Sequence, residues 1–124
     1  MYHLIKVFKS LSDDTRLRML NLIVERECCV CEVMQALGIS QTRASRNLTM
    51  LYDVGLLRLR KEGLWSLYSI DWDEMDPNIK NILIATHKAF AGNRQMQVDL
   101  EQLKTAQRVG TRCATMTVTT DINT

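Results

Sequence analysis

The chain has 124 residues, 46% apolar and 24% charged, enough for one domain with a true core and unlike the composition of a disordered protein. Its net charge of +2 is too small to demand a nucleic-acid partner by itself, and no apolar run approaches the roughly 18 residues of a membrane-spanning helix. The opening Met1-Tyr2-His3-Leu4-Ile5-Lys6 has neither a basic leader with an apolar core nor a small-residue cleavage site. The expectation is a cytoplasmic chain whose four cysteines stay reduced and serve as ligands or redox groups.

Leu4, Ile5, Phe8 and Leu11 recur at helical spacing and predict a first helix over Tyr2 to Ser10. Ser12 offers a cap, and Asp13-Asp14 place negative charge in the first turn of a second helix, Asp13 to Glu25, that is apolar on most sides. A third helix starts near Val30, carries Val33, Met34 and Leu37 on one face, and ends at Gly38. Ser40 caps a fourth, whose inner face is Ala44, Leu48 and Leu51 and whose stop is Gly55. At about 100° per residue, Thr42, Arg46 and Thr49 point away from that inner face, flanked by Arg43 and Ser45. Two short helices joined by a Gly-containing turn, the second presenting small polar and Arg side chains, read as helix-turn-helix.

Leu57 to Lys61 and Trp65 to Ser69 alternate around Glu62-Gly63 and predict a β-hairpin with Arg58, Arg60 and Lys61 on its first strand. Behind a recognition helix, such a hairpin is a wing that follows the DNA backbone. Between Ile39 and Lys61 the bases Arg43, Arg46, Arg58, Arg60 and Lys61 face the single acid Asp53, a local basic strip suited to phosphate. Asp76-Pro77 starts a helix over 77–107 with Ile79, Ile82, Leu83, Thr86 and Phe90 as its stripe to about Ala91; Gly92 is a candidate interruption, after which Met96, Leu100 and Leu103 continue the period to Gln107. The expected fold is mainly α with one hairpin, in the order α-α-α-α-β-β-α. Residues 1–107 form the domain and residues 108–124, which include Cys113, a Thr-rich tail. The first helix and the helix over 77–107 are the expected surface for a homodimer, with packing inside the monomer as the other reading of the stripe.

The densest chemistry is Glu27-Cys28-Cys29-Val30-Cys31-Glu32, three thiols in four positions at the head of the third helix. The dipole and free N–H groups there favour thiolates, and thiolates select soft ions. On a regular helix Cys29 and Cys31 lie about 200° apart, whereas Cys28 and Cys31 lie about 60° apart. A three-thiol site would then unwind the helix's first turn. The other readings are buried small hydrophobes, a thiol redox sensor, and a thiol-handling enzyme or metal carrier. The last lacks a βαβ unit and a second cluster of catalytic groups, so the expectation is a binding protein and no enzyme.

The chain resembles the ArsR/SmtB family of winged-helix metalloregulators. The resemblance runs from Phe8-Lys9-Ser10-Leu11-Ser12-Asp13-Asp14-Thr15-Arg16-Leu17-Arg18 through Glu27-Cys28-Cys29-Val30-Cys31-Glu32-Val33 and Leu37-Gly38-Ile39-Ser40-Gln41. It continues over Ala44-Ser45-Arg46-Asn47-Leu48 and Gly55-Leu56-Leu57 to Glu62-Gly63-Leu64-Trp65. It implies a homodimeric repressor that leaves a palindromic DNA operator when a metal or metalloid binds, with no other cofactor. Cys-Val-Cys resembles the arsenite- and antimonite-responsive branch, which implies Cys29 and Cys31 as ligands of As(III) or Sb(III). Cys28 is an extra thiol and the expected third ligand beside Cys29 and Cys31, the branch's further cysteine is replaced in the turn of Met34 and Gln35, and Cys113 is an optional ligand. The resemblance also implies that Ser40, Gln41, Thr42, Arg43, Ser45, Arg46, Asn47 and Thr49 face the major groove, while Arg58, Arg60 and Lys61 meet phosphates; Asn47 stands where the family often has His. The family's zinc site needs several His and carboxylates where this chain has His87. Its cadmium/lead type of site needs cysteines ahead of Cys28, where there are none. Cadmium, zinc or lead sensing and redox sensing on the same fold are the alternatives.

Overall fold

The computed structural model describes residues 1–108, so Cys113 lies outside the described residues. Six helices surround a small antiparallel sheet: α1 (Tyr2–Leu11), α2 (Asp14–Glu25), β1 (Cys28–Cys29), α3 (Val30–Leu37), α4 (Gln41–Asp53), β2 (Leu57–Glu62), β3 (Trp65–Ile70), α5 (Pro77–Lys88) and α6 (Arg94–Thr105). The helix-turn-helix and hairpin stand where the periodicity puts them. No helix among the described residues is long and apolar enough to cross a membrane.

The main core cluster draws Val7 from α1, Met19, Leu20, Leu22 and Ile23 from α2, and Ala44, Leu48 and Leu51 from α4. Leu57 and Tyr68 enter it from the hairpin, and Ile79 and Leu83 from α5. α2 is the central helix, and its N-cap is Asp13, whose carboxylate accepts the Arg16 N–H at 3.0 Å; the expected cap, Ser12, instead closes α1. α1 is apolar on two sides. Val7 is buried with Leu4 and Leu11 packed nearby, while Ile5 and Phe8 are 45% and 51% exposed.

Gly38 ends α3 with φ 67°, a left-handed value that glycine adopts without a Cβ clash, and Ser40 then caps α4 by accepting the Arg43 N–H at 3.2 Å. That pair of local devices sets the sharp turn between the two helices.

Two features depart from the expected order. Cys28 and Cys29 form a strand of their own, giving a sheet of order β1-β3-β2 with Cys28 opposite Tyr68 and Cys29 opposite Leu67. The helix expected over 77–107 is two helices, broken around Gly92 at φ 79°. The break turns α6 back onto α2 and α3 of its own chain. There Met96, Asp99 and Leu103 are buried, and Arg18 donates to both carboxylate oxygens of Asp99 at 2.7 and 2.8 Å. The α6 stripe is therefore spent inside the monomer. Of the proposed dimer surface, α1 and α5 retain exposed apolar groups, with Tyr2 at 73% and Ile84 at 36%.

Candidate nucleic-acid interface and thiol site

α4 presents Gln41, Thr42, Arg43, Arg46 and Thr49 as exposed residues, with Ser40 exposed just ahead of the helix. Ser45 is half-buried and its hydroxyl accepts the Gln41 side-chain amide at 3.1 Å. Two residues of the sequence-derived set are engaged within the fold. Arg43 donates to the Thr15 hydroxyl at 2.9 Å. Asn47 accepts from Arg16 at 2.9 Å and donates to the Arg43 carbonyl at 2.9 Å. The outer face that remains is short, polar and cationic at Arg46, as base-edge and phosphate contact require.

The wing carries its three bases on β2, as its alternation predicts, but the strip is less naked than its local charge count suggests. Arg58 lies 3.6 Å from Asp71 and 3.4 Å from Asp73. Arg60 pairs with Glu62 at 3.1 Å and donates to both oxygens of Glu27 at 2.8 and 2.7 Å. Lys61 donates to the Ser66 hydroxyl at 2.6 Å. The partnering acids lie before β1 (Glu27), at the end of β2 (Glu62) and after β3 (Asp71 and Asp73), so a window from Ile39 to Lys61 does not see them.

The thiols are sorted by the short strand. Side chains alternate across a strand, so Cys28 and Cys29 must leave opposite faces of the sheet. Cys28 enters the main core, where it is fully buried and its thiol donates to the Arg26 carbonyl at 3.3 Å. Burial pushes that thiol up to about 12. Cys29 and Cys31 are buried on the other face, in a separate small cluster with Leu67 and Trp65. Cys29 has extended backbone (φ −86°, ψ 167°) and is the N-cap of α3, not a helical residue. The helical-wheel angles of about 200° and 60° therefore do not apply: Cys29 and Cys31 share a side without any unwinding. Cys28 and Cys31 stand at Cys-x-x-Cys spacing but face apart.

What builds this corner is Glu32. In the capping box at the head of α3, the Cys29 side chain takes the Glu32 backbone N–H, and the Glu32 carboxylate accepts the Cys29 N–H at 2.8 Å. Glu32 also meets Arg26 at 2.8 Å and Arg108 at 2.9 Å while its side chain is only 5% exposed. Burial pushes the Glu32 carboxyl up, but the Cys29 N–H and the two guanidiniums outweigh it and hold it below the usual carboxylate range. Beyond α6 the chain crosses the thiol pair: Gln107 and Gln35 exchange hydrogen bonds at 2.8 and 3.1 Å, and Cys31 Sγ lies 3.8 Å from the Gln107 carbonyl. Sequence reading missed Glu32, Arg26 and this strap. Cys29-x-x-Glu32, a capping box with sulfur in place of a hydroxyl, was the available signal for the first.

The donor set suits a soft ion in part. Two thiols at a helix N-terminus, in an apolar patch, are soft ligands. No group of three His, Cys, Asp or Glu side chains among the described residues is placed to hold a metal.

Comparison with known proteins agrees with the fold. Residues 13–64 match the family described as bacterial regulatory protein, arsR family. An arsenic resistance transcriptional regulator of Pseudomonas putida is 49% identical over 65 residues, 52% of this chain and 51% of that protein. The aligned stretch thus spans about half the length of that relative. A cadmium resistance transcriptional regulatory protein CadC homolog of Staphylococcus aureus is 38% identical over 73% of this chain and 70% of its own length. Among solved structures, a homodimeric winged helix-turn-helix DNA-binding domain from Mycobacterium bovis superposes with a TM-score of 0.60 at 28% identity, covering 70% of this chain and 77% of that one. With the winged helix-turn-helix in place and the similarity extending over more than two thirds of a full relative, the chain belongs to the arsR family of bacterial regulatory proteins.

Proposed function

We propose that this protein is a cytoplasmic, homodimeric transcriptional repressor that holds a two-fold-symmetric operator and releases it when trivalent arsenic or antimony binds Cys29 and Cys31. The observation that carries the reading is the pairing of those two thiols on one face of the sheet at the head of α3, the helix whose other end turns directly into α4. Trivalent arsenic exchanges its oxygen ligands for thiolate sulfur, each thiol giving up its proton and each oxygen leaving as water.

The chain's own part is to hold two soft donors together and to connect them to the DNA-facing elements. Cys29 is both a proposed ligand and the N-cap of α3, so a ligand on its sulfur competes with the Glu32 N–H. Cys31 lies beneath the Gln107 carbonyl, so a ligand on it must lift the strap. Both changes act on the first turn of α3, and a coupling of about 1–3 kcal/mol would shift operator affinity roughly 5- to 150-fold. Cys28 joins the site only by leaving the core, where its thiol is held neutral. Cys113, five positions beyond Arg108 in the sequence, is the better third ligand.

On the DNA side, Ser40, Gln41, Thr42, Ser45, Arg46 and Thr49 face the major groove, with Arg43 and Asn47 bracing the helix. Arg58, Arg60 and Lys61 meet phosphates. Exposed Tyr2, Ile5 and Phe8 of α1, with Ile84 of α5, supply the dimer surface, which predicts half-sites about one helical turn apart or a multiple of it.

The test is fluorescence anisotropy with duplexes from the protein's own promoter, in excess reductant, titrated with arsenite, antimonite and cadmium. Release by arsenite or antimonite that disappears in Cys29→Ser and Cys31→Ser supports the reading. Release by oxidant alone replaces it with redox sensing, release by cadmium alone replaces the inducer, and an undiminished arsenite response in both serine variants overturns the site.

A further inference from the structure

Arg16 lies in the first turn of α2 with its side chain only 12% exposed, and its guanidinium is shared among three helices. Nε donates to the Ser10 carbonyl at 2.7 Å and one terminal nitrogen to the Lys9 carbonyl at 3.3 Å. Both carbonyls belong to the last turn of α1, where the helix dipole favours a cation. The other terminal nitrogen donates to Asn47 Oδ1 at 2.9 Å and lies 3.5 Å from the Met50 sulfur, both on α4. A second tie crosses the same gap, from Arg43 of α4 to the buried Thr15 of α2 at 2.9 Å. Asn47 in turn donates one amide hydrogen to the Arg43 carbonyl at 2.9 Å, which fixes its orientation.

We infer that Arg16 is a positioning residue for operator binding: through Asn47 it locks the recognition helix to α1, and so sets the distance between the two recognition helices of the dimer. This rests on the reading of the protein as a dimeric DNA binder. A planar guanidinium is the side chain for the task, because its five donors lie in a rigid fork and one group can bridge two helices in a fixed orientation. α1 carries exposed Tyr2, Ile5 and Phe8, so wherever α1 meets its two-fold mate, the bracket carries that frame to α4. Asn47 is by this account a bracket for the helix and reads no base.

The test measures operator affinity of Arg16→Gln, Arg16→Lys and Asn47→Ala, each confirmed folded by circular dichroism and dimeric by sedimentation. Three operators are used, with native half-site spacing and with one base pair added or removed. The expected result is a loss of about tenfold or more on the native operator for Arg16→Gln, the scale of one charge-assisted hydrogen bond. The penalty for wrong spacing shrinks, the slope of log affinity against log salt is unchanged because no phosphate contact is lost, and the pattern of half-site base preference is kept. Asn47→Ala reproduces these effects, and the Arg16→Gln/Asn47→Ala double variant is no worse than either single one. Arg16→Lys keeps the charge without the fork and shows the same loss of spacing discrimination, which covers the case in which Arg16→Gln does not fold. A salt slope reduced by about one would make Arg16 a phosphate contact. A changed base preference in Asn47→Ala would make Asn47 a reader, and unaltered spacing discrimination would remove the positioning role; each overturns the inference. Absence of any DNA binding by the unaltered protein is a separate result, and it would remove the functional reading itself.

Discussion

Cys29 and Arg60 stand in one cross-strand row, with Leu67 between them: Cys29 pairs with Leu67 across β1 and β3, and Leu67 with Arg60 across β3 and β2. The row is closed into a ring by Glu27, two positions before Cys29, which accepts from Arg60 at 2.7 and 2.8 Å. The hydrogen bonds from Arg60 hold the Glu27 carboxyl below its ordinary value. A thiol and a wing base are thus linked through both the backbone ladder and the Glu27–Arg60 ion pair.

Glu27 competes with DNA for Arg60. Glu27→Gln should raise affinity for any duplex several-fold at low salt and steepen the salt dependence by about one phosphate. Anisotropy titrations at several salt concentrations, on operator and unrelated DNA, measure both. A gain confined to the operator would mean that Arg60 contributes to sequence choice and not to phosphate contact.

Cys28 should behave as a core residue. Cys28→Ala is expected to lower stability by about 1–2 kcal/mol and to leave arsenite-driven release intact, whereas Cys113→Ser weakens it. The pH dependence follows from burial, which holds the thiol up to about 12 in the folded chain against about 8.5 when unfolded. The folded state keeps the proton longer, so this contribution is whole below about pH 8.5 and is lost as pH rises toward 12. Urea midpoints from pH 7 to 10 should fall in the parent and fall less in Cys28→Ala. Equal alkaline slopes would show that Cys28 is not protected.

Glu32 is the acid on which the corner depends. Glu32→Ala strands the Cys29 N–H and removes two ion pairs to part-exposed guanidiniums, at a cost of about 1–3 kcal/mol; Glu32→Gln, which keeps an acceptor, costs less. Because the folded carboxyl is held below its unfolded value, its stabilisation is complete above the ordinary carboxylate range and fades as pH drops through the depressed folded value. Denaturation of the parent and Glu32→Gln should therefore differ at pH 7 and converge as pH falls through the depressed folded value. A constant gap would place the effect in packing, not charge.

The strap over Cys31 rests on Arg108–Glu32 and the Gln35–Gln107 exchange. Arg108→Ala combined with Gln35→Ala should speed labelling of Cys31 by a neutral thiol reagent about tenfold or more, since the Arg108–Glu32 pair and both Gln35–Gln107 hydrogen bonds are gone. Labelling resolved by peptide mass reads this residue by residue. An unchanged Cys31 rate, with the protein still folded, would show that the strap does not guard it.

Much of this protein is written in short-range pattern. The Ser40 cap behind Gly38, the alternation on both sides of Glu62-Gly63 and the Asp76-Pro77 start each act within a few residues, so periodicity and capping are enough to place α3, α4, the wing and α5. The run of cysteines likewise declares its chemistry without a structure. What it does not declare is which thiols meet. β1 is two residues long and exists because β3 offers it partners, and that borrowed strand turns Cys28 into the core while leaving Cys29 beside Cys31. The same holds for Arg16 with Asn47, Glu27 with Arg60, Glu32 with Arg108, and Arg18 with Asp99, which are 31, 33, 76 and 81 positions apart. Such pairs follow from how helices and strands pack in three dimensions, and no local period encodes them. Residue type and spacing determined that the chain would fold as a winged helix and offer soft ligands; tertiary packing decided which sulfurs share a face and which arginines are already taken.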